Sequence, residues 1–241
     1  MSNTVDEKEI QAFSKDADHW WDPEGPFKPL HKLNPVRMGY IKDQICAHFG
    51  RDSAPLKSLE GLEIIDIGCG GGLVCEPLAR MGATVTGADA DAVAIEMAKD
   101  HAHNAGLDIT YVNKPAENIQ DQFDVVLALE IIEHVSDPQA FVENCARLCK
   151  PGGLIIFSTL NRTPKSYALG IVAAEYILRW VPQGTHSWKK FVKPSELARY
   201  ARQACIKPQK TSGLIFNPLK NGFSISSTDI DVNYFMVCTK P

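Results

Sequence analysis

The 241-residue sequence has seven cysteines, an odd number, and no pair of them has Cys-x-x-Cys spacing. That argues against a cysteine metal knuckle and a disulfide framework, so the thiols read as reduced, mostly buried small hydrophobes. Excess positive charge is also missing: the net charge of -4 gives no reason to expect a nucleic-acid partner. The first fifteen residues, Met1 to Lys15, are polar and acidic. They hold neither the apolar core of a signal peptide nor an arginine-rich amphipathic presequence. No stretch reaches the uninterrupted apolar length of a spanning helix, and there are no internal repeats or low-complexity segments. The expectation is a cytoplasmic protein that is neither exported nor passed through a membrane. What is present is ordinary soluble composition, 44% hydrophobic and 22% charged. The length suits one α/β domain with additions rather than two domains.

The most informative stretch is Ile64-Ile65-Asp66-Ile67-Gly68-Cys69-Gly70-Gly71-Gly72. An apolar run of this kind is expected of a buried parallel strand. The glycines permit positive φ and let a ligand approach bare backbone, and helix propensity returns after Leu73. This strand, loop and helix fit the first β-α turn of a doubly wound sheet, where ligands bind outside the strand ends. Glycine loops also serve dinucleotides, and two acids separate the readings. Asp66 lies inside the strand before the glycines, where it can face a cationic group. Asp89 ends the next apolar strand, where a carboxylate can accept hydrogen bonds from a ribose diol. A pyrophosphate gains little from Asp66, whereas the ammonium of S-adenosylmethionine (SAM) gains a charge-assisted bond. The loop, with Gly68 and Gly70, resembles motif I of the SAM-dependent class I methyltransferases.

Taken in order, Glu7 to Trp21 has helical spacing, with Ile10, Phe13, Ala17 and Trp20-Trp21 on its apolar side. Asp22 to Pro26 breaks it, Phe27 to Pro35 is expected to be irregular, and a second helix runs from about Pro35 to His48. Packing against the sheet accounts for the two tryptophans as well as any binding role does. Strands are expected at 63–67, 83–88, 109–112, 123–129 and 154–158, and helices at 73–80, 92–104 and 138–148. Lys150-Pro151-Gly152-Gly153 ends the last of these helices, because Pro stops it and Gly turns the chain. A long excursion, 161–193, precedes a helix at 194–205. Two strand-like runs follow, 213–216 and 233–238, with Asn221-Gly222 as the turn between them.

Several stretches are distinctive beyond the fold. They are Phe13, Trp20 to Gly25, Phe27 to His31, Asn34-Pro35, Arg37, Tyr40-Ile41, Leu129-Glu130-x-x-Glu133-His134-Val135 and Ser158 to Arg162. Ala174 to Leu178, Pro182-x-Gly184-Thr185-His186 and Asp231 to Tyr234 complete the set. Together they resemble the ubiquinone-biosynthesis O-methyltransferases over nearly the whole chain, Phe13 to Tyr234. The resemblance implies an α/β, Rossmann-like class I methyltransferase fold in a single domain, residues 1–241. Its parts would be a seven-stranded, mostly parallel sheet with an antiparallel edge hairpin, an N-terminal helical cover (1–50) and an insertion after strand five (161–193). It further implies methyl transfer from SAM to a hydroxyl of a polyprenylated catechol or quinol lipid. SAM contacts carry over to Arg37, Gly68, Asp89 and Leu129. Arg37 would hold the SAM carboxylate, Asp89 the ribose, and Ala116 and Glu117 would flank the adenine, although Lys114-Pro115 departs from the commoner acidic pattern.

A catechol hydroxyl is largely protonated at neutral pH, since a phenol titrates near ~10, so its proton must be taken or displaced. Glu130, Glu133 and His134 stand just past strand four. The resemblance points to Mg²⁺ held by these three, while His134 as general base, or as a mere pocket wall, is the metal-free alternative. In the insertion, Tyr167 to Val181 is mostly apolar with Glu175 and Arg179 at i,i+4. Trp180 and Trp188 flank it, and Lys189, Lys190 and Lys193 follow. This pattern suits a helix lying on an anionic membrane, and equally a lid over the pocket. Two rival functions remain at this point: quinol C-methylation, and a non-catalytic SAM-binding subunit of a complex of ubiquinone-biosynthesis enzymes.

Overall fold

The computed structural model describes residues 4–6, 14, 17–168 and 188–241. A mixed sheet of eight strands carries helices on both faces, with strand order β3-β2-β1-β4-β5-β8-β6-β7. Strands β1 (Glu63–Ile67), β2 (Thr84–Asp89), β3 (Thr110–Asn113), β4 (Phe123–Leu129) and β5 (Cys149–Leu160) run parallel. Strands β6 (Lys207–Asn217), β7 (Gly222–Ser226) and β8 (Asn233–Thr239) complete it antiparallel.

The strands are apolar on both faces because each face is covered. Ile64, Val85, Val125 and Leu127 point into one core with Ile41 and Ile45 of α1 (Lys28–His48), Leu78 of α2 (Cys75–Arg80) and Ile95 of α3 (Ala92–Asn104). Their neighbours Ile65, Ile67, Val126 and Ala128 point into the other, with Phe141 and Cys145 of α4 (Pro138–Leu148) and Leu197 of α5 (Pro194–Gln203). This alternation is the two-residue period of a strand. Asp91 caps α3 by accepting from Val93 N at 2.9 Å, and Asp137 caps α4 through Ala140 N at 3.0 Å.

The expected elements from Glu63 to Leu148 form within a residue or two at their ends, and the differences lie elsewhere. First, residues 28–35 are helical. Pro29 lies in the first turn of α1, where a missing N–H is harmless, and Pro35 is carried inside the helix. The docked face compensates: Asn34 donates to Leu73 O at 2.7 Å, and Ile41 and Ile45 are fully buried. Second, most of the Glu7–Trp21 helix lies outside the described residues; Ser14 within it is helical, and its end is a short 3-10 turn, Ala17–His19. Third, Asn221-Gly222 turns β6 into β7 rather than into β8, adding an eighth strand. Gly-Phe-Ser-Ile-Ser reads as loop because the Phe223–Ile225 alternation is too short to mark an edge strand. Strand β5 is also longer than expected, and α5 stops two residues early, where Cys205 takes φ +58°.

Candidate functional site

The order of strands reverses between β1 and β4, and the site lies past their carboxyl ends. After Ile67 the chain turns through Gly68 (φ +77°), Gly70 (φ +51°) and Gly72 (φ +89°), conformations that exclude most side chains. Asp89, at the end of β2, pins this loop. Its Oδ2 accepts from Gly70 N and its Oδ1 from Asp91 N, both at 2.8 Å. Burial pushes its carboxyl upward, and these backbone donors pull it back.

The loop is also closely walled. A Cβ on Gly68 would lie 2.9 Å from Ile131, which ties the loop to the tip of β4. One on Gly70 or Gly71 would strike Trp20, and one on Gly72 would sit 2.3 Å from the Tyr111 hydroxyl. Trp20 stacks on Phe27 at 3.8 Å, while Trp21 stacks on His101 at 3.5 Å and donates Nε1–H to Gly71 O at 2.9 Å. The paired tryptophans therefore pack on the glycine loop and α3.

Beneath the loop lie two buried ionisable groups. Asp66 is 2% exposed, and desolvation lifts its pKa to about 7 against the pull of Arg37 and the Cys75 thiol. Arg37 is 4% exposed, which sets it apart from a solvated helix cation. Burial lowers its pKa, whereas Asp66 and Glu130 raise it. Its Nε and Nη2 donate to Asn34 Oδ1 at 3.1 and 2.7 Å. After β3, Ala116 and Glu117 are buried, and Thr4 donates its N–H and Oγ–H to the two oxygens of Glu117 at 2.8 and 2.9 Å.

Leu129 ends β4, buried, and Glu130 follows in the left-handed region at φ +54°. A non-glycine residue there is held by its surroundings. Its N–H donates to Ser158 O at 2.9 Å, and its carboxylate accepts from Ser158 Oγ and from Asn233 Nδ2. Glu133 is 3% exposed and accepts from Thr159 Oγ at 2.7 Å, while its other oxygen has no hydrogen-bond partner. Burial first, then the charge of Glu130, lifts Glu133 to about 7, and His134 and Thr159 oppose the shift. His134 closes the same short turn, half-buried.

Among the described residues no group of three or more His, Cys, Asp or Glu side chains is arranged to hold a metal ion. Glu130, Glu133 and His134 share one turn without forming such a set. Arg37, Asp66, Gly68, Gly70, Asp89 and Leu129 do converge around β1, β2 and β4, and a glycine loop beside two acids at the switch point suits SAM. Residues that were given no role from sequence are Trp20, Thr4, Ser158, Thr159 and Asn233. The hydroxyls of Ser158 and Thr159 at the end of an otherwise apolar strand were the available signal.

A family profile described as a methyltransferase domain matches residues 65–157. A possible histamine N-methyltransferase from Thermotoga maritima aligns with a TM-score of 0.66 and 17% identity, over 97% of this chain and 99% of its own. The magnesium protoporphyrin IX methyltransferase of Synechocystis PCC 6803 with bound SAM aligns with a TM-score of 0.62 and 16% identity, over 100% of both chains. The architecture is thus that of the class I SAM-dependent methyltransferases. Closer in sequence is the ubiquinone biosynthesis O-methyltransferase of Chelativorans sp. (strain BNC1), 49% identical over 99% of this chain and 95% of the relative. That of Cereibacter sphaeroides (strain ATCC 17029) is 52% identical over 97% and 96%. The chain belongs to the ubiquinone biosynthesis O-methyltransferase family.

Proposed function

We propose that the protein methylates a hydroxyl oxygen of polyprenylated catechols in ubiquinone biosynthesis. Its acceptors would be 3-demethylubiquinol and 3-polyprenylbenzene-1,2-diol. When bound, SAM supplies a methyl group on a sulfonium cation. Asp89 would hold the ribose hydroxyls, the backbone of Gly68 and Leu129 would border the ligand, and Arg37 and Asp66 would face its carboxylate and ammonium. The observation that carries the catalytic reading is Glu133, a buried carboxyl held to about 7 with one oxygen unpartnered. A base near neutral pH is matched to a phenol that titrates near ~10. As the O–CH₃ bond forms and the S–CH₃ bond breaks, the hydroxyl proton passes to Glu133 or its neighbour His134, and a neutral thioether leaves. Positioning supplies much of the rest.

Mg²⁺ on Glu130, Glu133 and His134 is the second reading, favoured by the unpartnered Glu133 oxygen beside a second carboxylate. Against it, Ser158 and Asn233 already occupy both oxygens of Glu130. Purified protein incubated with SAM and a short-chain prenylated catechol should give the monomethyl ether at an EDTA-insensitive rate. Loss of turnover in EDTA, restored by Mg²⁺, would favour the metal reading, and no methyl ether under any condition would end the assignment.

The excursion 161–193 is proposed to rest on the membrane that holds the prenyl tail, with the protein otherwise cytoplasmic and other enzymes of the pathway as partners. No helix of the described residues is long and apolar enough to cross a membrane. At the ends of the excursion Tyr167 and Trp188 are 50% and 37% exposed, with their rings 6.3 Å apart, and the lysines at 189 and 193 are exposed. The segment between them, 169–187, lies outside the described residues. Co-flotation with anionic vesicles, reversed by high salt and lost on deleting 166–188, tests this reading. Wild-type protein that stays unbound at every lipid composition would leave the segment as a lid.

A further inference from the structure

The carboxyl end of the sheet is uneven. Leu160, which ends β5, pairs with Asn233 of β8, and Asn233 pairs in turn with Leu214 of β6. Strand β6 runs on to Asn217 before turning through 218–221 into β7. The tip of this hairpin therefore projects roughly 10 Å past the end of β5, at about 3.3 Å per residue. Sideways, two to three strand spacings put it roughly 10–15 Å from the start of the 161–193 excursion. The amino end of α1 reaches the same rim. Asn34 bonds to Leu73 O past the glycine loop, whereas His48 at the far end of the helix meets Gly152 O at 2.8 Å, near the start of β5.

The tip is a braced turn. Asn217 Oδ1 accepts from Leu219 N at 2.9 Å and from Lys220 N at 3.2 Å, and Lys32 of α1 donates to Asn221 Oδ1 at 2.9 Å. Phe216 and Phe223 pair behind it with rings 5.1 Å apart. This frame leaves Leu219 96% exposed between exposed Pro218 and Lys220. A lone exposed leucine is ordinary, and Leu56, 90% exposed between α1 and β1 at the opposite end of the sheet, is one. Leu219 differs in its company. Tyr167, Trp188, Lys189 and Lys193 are exposed on the same rim, while Lys165 takes up Asp229 and Asp231, and Lys28 takes up Glu24. Apolar tips among cations match an anionic bilayer, with leucine for the acyl boundary and lysine for the phosphates. We infer that Pro218-Leu219-Lys220 is a second lipid contact, separate from the excursion. A turn already braced docks without the cost of ordering a loop. Two contacts on one rim fix the tilt of the molecule, so that the carboxyl ends of β1 and β4 face the headgroups and a lipid substrate presents its ring without leaving the bilayer.

The cysteines allow a site-by-site test, because Cys205 is exposed and the other six are buried. In the full chain carrying Cys205→Ser, an environment-sensitive dye is attached at Leu219→Cys, Tyr167→Cys or Leu56→Cys, one at a time. Vesicles of phosphatidylglycerol and phosphatidylcholine are then added. The dye at 219 should shift to the blue and the dye at 56 should not respond. Without any dye, Leu219→Glu should lower vesicle affinity about tenfold, with S-adenosylhomocysteine binding unchanged as the check on folding. A silent dye at 219, an equal response at 56 and 219, or full vesicle affinity in Leu219→Glu would overturn the inference. The dye at 167 separates it from the excursion: a response at 167 with silence at 219 overturns the hairpin contact alone. A response at 219 with silence at 167 supports the hairpin and overturns the excursion contact.

Discussion

Replacing Asp66 with asparagine isolates the energetics of the acid that sits inside β1. Its carboxyl titrates at about 7 in the fold, against an ordinary value of 3.8, because desolvation outweighs Arg37 and the Cys75 thiol, with Asp89 adding to the rise. Between those two values the unfolded chain loses this proton while the folded chain keeps it. Asp66 therefore makes stability fall as pH rises through the window, and the loss is complete above about 7. The displacement of roughly three pH units corresponds to at most about 4 kcal/mol. Asparagine is nearly isosteric with the protonated acid and has no proton to lose. Urea denaturation should thus find Asp66→Asn more stable than wild type by a margin that is larger at pH 8 than at pH 5, where only about a third of the loss has accrued. A cationic ligand reverses the preference: SAM affinity in wild type should rise with pH, and Asp66→Asn should bind SAM more weakly at pH 8. The same stability difference at both pH values would refute the assignment of a buried, neutral Asp66.

Four other outcomes are expected. Asp89→Asn sets an amide against backbone donors at Gly70 and Asp91, and losing one charge-assisted bond should weaken S-adenosylhomocysteine binding by ~1.5–3 kcal/mol in calorimetry. Turnover should rise as pH increases through about 7, because protonated Glu133 cannot take a proton, and Glu133→Gln should lose activity while keeping SAM binding. Gly72→Ala meets the Tyr111 hydroxyl at a positive φ, so chemical denaturation should show a loss above ~2 kcal/mol, partly restored by adding Tyr111→Phe. Trp21→Phe keeps the stack on His101 but gives up the bond to Gly71 O, which should cost ~1 kcal/mol by the same measurement.

The parallel half of the sheet was legible in the sequence because its determinants are local. Ile64 to Ile67, the four glycines and the acid ending β2 carry period, turn and charge within one β-α-β unit. What escaped depends on partners remote in sequence. Trp20 and Trp21 read as half of an amphipathic helix, and only the fold brings them onto Gly70, Gly71 and His101. Residues 28–35 hold two prolines, a local signal against helix that docking of α1 on the sheet overrides. Edge strand β7 is only five residues long, and the alternation of Phe223 and Ile225 is too brief to mark it locally. Arg37 illustrates a different limit: a lone cation on a helix reads as solvated, and its burial beside Asp66 follows from the packing of α1. Glu130 and Glu133 stood out by type and place, but the residues that orient them, Ser158, Thr159 and Asn233, lie on strands β5 and β8, whose pairing no local pattern specifies.

The most direct measurement of the central claim is transfer of an isotopically labelled methyl group from SAM to a prenylated catechol, followed by NMR of the product. One labelled methyl on a ring oxygen, beside one remaining hydroxyl, is the expected result. A label on ring carbon, or a catechol recovered unlabelled, would contradict it.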